Sequence, residues 1–79
     1  MNYELRDTDW QGSPKTKSTD ETKVEVFVNV KTGIVGETHG FTKEDTISME
    51  FDKSMTGDQM EADTIVQAQA YITANYPNT

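Results

Sequence analysis

VEVFVNVKTGIVGETHGF, residues 24–41, is the stretch whose reading decides the fold of this chain. Val24, Val26, Val28 and Val30 fall on alternate positions, with Glu25, Phe27 and Asn29 between them, the period of a half-buried β-strand. β-branched side chains suit a pleated surface covered on one side. Lys31-Thr32-Gly33 then offers turn chemistry, because Gly33 can take the positive φ that closes a three-residue hairpin loop. The pattern predicts a return strand from Ile34 to about Thr38, with Ile34 opposite Val30 and Gly36 opposite Val28. Gly36 weakens that strand or admits another backbone close by, and Gly40 ends it.

Downstream of the hairpin, Ile47, Met49 and Phe51 alternate with Ser48 and Glu50, which predicts a further strand over Thr46–Phe51. Thr42-Lys43-Glu44-Asp45 before it has turn composition, with Thr42 placed to cap a single helical turn. A helix follows. Thr56-Gly57-Asp58-Gln59 fits a capping box, in which the Thr56 side chain accepts from the Gln59 amide and the Gln59 side chain reaches back. Asp58, Glu61 and Asp63 suit the positive end of the helix dipole. Ile65, Ala68, Ile72 and Tyr76 recur at steps of three and four, a stripe that can lie on a sheet. Pro77 stops the helix, since the residue before proline avoids helical geometry.

Upstream, Gln11–Lys23 holds Gly, Pro, Ser, Thr and charge with no apolar residue, the composition of a loop or linker. Tyr3 and Leu5 alternate with Asn2, Glu4 and Arg6, a short-strand signal. Met1–Lys23 is therefore either an edge strand plus a long loop or a polar arm that gains order on a partner. Residues 24–79 form the β-β-β-α domain. The predicted fold class is α+β: two layers, an antiparallel sheet of three to four strands, and one C-terminal helix. One helix covers one sheet face, which leaves Phe27 and Val35 on the other.

Seventy-nine residues, a third of them hydrophobic, allow one small domain with a thin core. The chain has no cysteine, so neither a disulfide nor a thiolate metal site is available. No apolar run reaches the roughly 18 to 20 residues that cross a bilayer, and the N-terminus lacks a signal-peptide pattern. The expectation is a soluble, non-secreted protein. Fourteen acids against seven bases give a net charge of −7, which disfavours nucleic acid and anionic lipid as partners and favours proteins.

Catalytic chemistry is sparse. His39 is the single histidine, placed in a turn beside Gly40, and no glycine-framed nucleophile elbow surrounds Ser48 or Ser54. Neither Lys31-Thr32-Gly33 nor Met55-Thr56-Gly57 has the glycine spacing of a phosphate-binding loop. Asp52–Asp63 has calcium-loop spacing at Asp52, Ser54, Thr56, Gly57 and Asp63. A bidentate glutamate is missing from its last place, Gln59 stands where an apolar residue belongs, and a strand precedes it. The capping box uses the same residues better. Acid pairs at Asp7/Asp9, Asp20/Glu21 and Glu44/Asp45 sit on polar segments, as solvated carboxylates do. No enzyme activity, cofactor or metal is expected.

Aromatic residues carry more information. Trp10, with Tyr3 and Leu5 before it, either closes the core edge or anchors a partner, and Phe27 stands opposite the valine face. Tyr3, Leu5, Trp10, Phe27 and Val35 are the candidate partner-binding residues. In size, acidity, Thr/Asn/Asp richness and lack of motifs, the chain resembles the small orphan proteins of tailed phages. That resemblance implies a virion or host-cytoplasmic protein with one of two roles. One is a structural or accessory component that binds protein or associates with itself, its N-terminal arm lying along neighbouring subunits. The other is an acidic inhibitor of a host defence or nucleic-acid-processing enzyme, of the anti-CRISPR or anti-restriction type.

Overall fold

The valine alternation runs further than the turn chemistry of Lys31-Thr32-Gly33 suggests. In the structure, a computed structural model that describes residues 2–37 and 40–77, the elements are β1 (Tyr3–Trp10), β2 (Lys15–Thr16), β3 (Lys23–Ile34), β4 (Lys43–Asp52) and α1 (Gly57–Asn75). An antiparallel four-stranded sheet carries one C-terminal helix, a two-layer α+β arrangement. β3 is central. β4 pairs along one of its edges from Lys23↔Asp52 to Thr32↔Lys43. β1 and β2 share the other edge, β1 against Val28–Ile34 and β2 against Val24–Glu25.

The hairpin therefore exists with its loop displaced. Thr32, fully buried, continues the inward set of valines, and Lys31 and Gly33 continue the outward one. The chain turns at Val35–Gly36, where Gly36 has φ +97°, and β4 begins at Lys43 rather than after Asp45. The predicted return strand Ile34–Thr38 is thus replaced by the end of β3 and a turn, with Thr38 outside the described residues. Gly33 does not have positive φ; it is needed for space. A Cβ there would run into the Arg6 side chain, with Cγ 2.8 Å away and Nε closer still.

The N-terminal segment is an integral edge strand followed by a loop, not a detached arm. β1 spans eight residues and interrupts its register between Leu5 and Asp7. The extra residue, Arg6, is the bulge that aims its side chain across Gly33. Its Nη2 donates to the carbonyls of Ile34 at 2.8 Å and Glu37 at 2.7 Å. The polar loop is ordered by local bonds: Asp20 accepts from the Thr22 amide and hydroxyl, and β2 docks on β3.

Val24, Val26, Val28, Val30, Met49, Phe51, Ala68 and Ile72 form the buried core, with Tyr3, Leu5 and Trp10 packed against it. The capping box is present with both hydrogen bonds. α1 ends at Asn75, before Tyr76-Pro77. Its buried stripe is Thr64, Ala68 and Ile72, so Thr64 takes the place expected for Ile65, which is 48% exposed. A threonine is tolerated there because its hydroxyl donates to the Met60 carbonyl and accepts from the Trp10 indole N–H. Trp10 meets Thr64, while Tyr3 and Tyr76 stack with ring centres 5.3 Å apart, so α1 runs antiparallel to β1.

Candidate protein-binding surfaces

α1 covers the valine face, and the opposite face of the sheet stays open. Its residues follow from the register. Across the middle run Phe27 and Ser48, then Asp9, Asn29 and Thr46. Gln11 joins the Phe27 row, its N–H donating to the Phe27 carbonyl at 2.7 Å. One flanking row holds Lys15, Glu25 and Glu50, and the other Asp7, Lys31 and Glu44. Phe27 is 59% exposed beside a depression of about 200 Å³ that Gln11, Ser13, Lys15 and Ser48 help to line. Glu25 and Glu50 are directly opposite, a like-charge pair that the Lys17–Glu50 ion pair and the adjacent Lys15 relieve.

The five candidate partner-binding residues do not form one site. Tyr3, Leu5 and Trp10 lie on the covered side, packed on the core. The Trp10 ring sits 6.0 Å from Phe51 between centres, and its indole nitrogen is 3.0 Å from the Thr64 hydroxyl. Val35 is exposed but lies in the turn beyond β3, on the order of 25 Å from Phe27 at the usual rise per strand residue. Phe27 alone marks the open face.

Ser54 donates to Asp52, and Asp52 also accepts the Ser54 amide, which holds its carboxyl below the usual range. The Asp52–Asp63 segment is thus a turn running into a helix cap, with the Ser54 and Thr56 hydroxyls committed within it. Among the described residues, no group of three or more His, Asp or Glu stands together as metal ligands do. Ser48 belongs to the open face, and His39 lies outside the described residues. Among those residues, no helix is long and apolar enough to cross a membrane.

One acid is engaged where solvation was expected. Asp45, on the helix side of β4, accepts from the Tyr76 hydroxyl at 2.6 Å. That bond, with partial burial, pushes the Tyr76 phenol up to about 12. Burial and the same carboxylate raise Tyr71. The period-two phase of β4 places Asp45 on the inward set with Ile47 and Met49, which is the signal available in the sequence. Lys31 over the Phe41 ring, 4.9 Å from its centre, has no comparable signal.

Fold and surface together define a small two-layer α+β domain with one sheet face open. Comparison with family models, with curated proteins and with solved structures gives no match, so the functional reading rests on the geometry.

Proposed function

We propose that this chain is a non-enzymatic assembly module that binds a second copy of itself through the open sheet face around Phe27. The observation that carries the reading is a large aromatic, 59% exposed, on the central strand in a two-row centre whose one charge is Asp9, flanked by the charged rows of Glu25 and Lys31. Interface centres are depleted of charge and enriched in aromatics, with polar rims. Each flanking row holds both signs, so a two-fold contact can set Lys15 or Lys31 of one copy against acids of the other. In the tailed-phage setting that the composition resembles, such a contact would serve a structural or accessory role in virion assembly.

The inhibitor reading draws on α1, which carries Asp58, Glu61 and Asp63 and no Lys or Arg. That acidic surface is interrupted at β4, where Glu50 pairs with Lys17 and Lys23 approaches Asp52 at 3.9 Å. Self-association is therefore the stronger reading. Native mass measurement tests it. The expected result is a dimer or larger species that becomes monomeric in Phe27→Ser, with a cooperative melt retained and its dependence on protein concentration lost. A wild-type chain that stays monomeric at high concentration overturns self-assembly and transfers weight to the inhibitor role.

A further inference from the structure

A second surface lies on the other side of β1. The Gln11 N–H bond to Phe27, read with the register, turns the backbone groups of Asp7, Asp9 and Gln11 toward β3. The intervening residues, Thr8 and Trp10, therefore present their N–H and C=O groups at a free edge. Asp7 Oδ1 takes the Thr8 N–H at 2.9 Å. Among the described residues, the Thr8 carbonyl and both backbone groups of Trp10 then have no partner along the edge. A groove of about 390 Å³ runs beside them, lined by Thr8, Asp9, Trp10, Glu61, Thr64 and Ile65. Ile65 is 48% exposed there although it lies next to the buried Thr64.

We propose that this groove binds a short extended segment of a partner protein, alternating basic and apolar residues, which adds a strand to β1. Three features select that occupant. Unpaired edge groups spaced along a strand are satisfied by another extended backbone, the mode of strand addition. Alternate side chains of an added strand point to opposite faces, so one set reaches the Trp10–Ile65 floor and the other passes the rim. The rim carries Asp9 and Glu61, and no Lys or Arg lines the groove. The nearest base in β1, Arg6, is turned to the opposite face and held by the Ile34 and Glu37 carbonyls and by Glu4.

A second copy of this chain is the wrong occupant. A two-fold antiparallel pairing of β1 with β1 centred on Thr8 would set Asp7 of each copy opposite Asp9 of the other, and like charges placed opposite each other destabilise a sheet. The bulge at Arg6 also interrupts the ladder, which limits the added strand to a few residues. Short contacts of this kind are weak, and their charge component falls with salt.

The test uses the full chain and an end-blocked Lys-Val-Lys-Val-Lys peptide, followed by backbone amide NMR and Trp10 fluorescence. Shifts centred on Thr8, Trp10 and Ile65 are expected, with affinity lost roughly tenfold in Ile65→Lys, whose exposed position leaves folding intact. A Glu-Val-Glu-Val-Glu peptide should not bind. The same basic peptide N-methylated on both valines should bind roughly tenfold more weakly, because those residues can no longer donate to the edge. Equal affinity of the methylated peptide, or shifts centred on Phe27, would overturn strand addition at β1. Repeating the titration in Phe27→Ser keeps the result separate from self-assembly.

Discussion

Thr32 has no exposed surface, and its hydroxyl has no hydrogen-bond partner among the described residues. A buried hydroxyl without a partner costs roughly 1 to 3 kcal/mol, and valine has nearly the same shape without that group. Thr32→Val should therefore stabilise the protein by about 1 kcal/mol, read as a higher denaturation midpoint at unchanged slope. A lower midpoint would mean that the hydroxyl is satisfied in solution. Tyr76 makes a second prediction at this scale. Its folded-state pKa of about 12 lies above the ordinary phenol value, because its bond to Asp45 favours the protonated form. A raised pKa contributes stability that is fully present below the unfolded value near 10 and is lost as pH rises through the folded value. Stability should thus fall between about pH 10 and pH 12. Phenolate absorbance should show Tyr76 titrating late, with Tyr71 also raised, and both should move toward the ordinary value in Asp45→Asn. A Tyr76 phenol titrating near pH 10 would contradict the bond.

Elements differ in how much of them sequence reveals, and the difference follows the range of the forces involved. The start of α1 is legible because a capping box is closed by four adjacent residues, Thr56 to Gln59, with no help from the rest of the chain. Thr56→Ala should cost about 0.5 to 2 kcal/mol, measured by chemical denaturation, and a smaller loss would show that the turn at Asp52–Ser54 holds the helix start unaided. The end of β3 is not legible in the same way. Lys31-Thr32-Gly33 has turn composition, and only Arg6, some 27 positions upstream (33 − 6), explains why glycine stands at position 33. Ile65 was expected in the buried stripe because it is apolar. Thr64 displaces it by satisfying its hydroxyl across the layers with Trp10, a contact between residues 54 apart. The open face was read correctly at Phe27. Trp10, open in the sequence between core edge and partner anchor, packs on the covered side with Tyr3 and Leu5, because a bulge and a long-range register decide which side of the sheet β1 shows.

At the scale of the molecule, β3 sets the length. Its twelve residues, at about 3.3 Å each, come to roughly 40 Å, which matches the longest dimension of 41 Å. The other dimensions, 21 and 17 Å, are those of one sheet and one helix, so the core is a single layer of contacts with little redundancy. β1 contributes to that layer out of proportion to its polar appearance. Removing residues 1–10 would strip Tyr3, Leu5 and Trp10 from the core, leave Thr64 without its indole partner, and expose the edge of β3 from Val28 to Ile34. A fully buried aromatic is worth about 3 to 5 kcal/mol, and this cut removes two partly buried aromatics and a leucine together from a domain with about 5 to 15 in total. The truncated chain should therefore show no cooperative thermal transition by circular dichroism. In the intact monomer, Trp10 emission should already be blue-shifted, since the ring packs against Phe51 before any partner binds. A truncated chain that melted cooperatively near the wild-type temperature would mean that β3, β4 and α1 are self-sufficient. β1 would then be what its composition first suggested, an arm available to another protein.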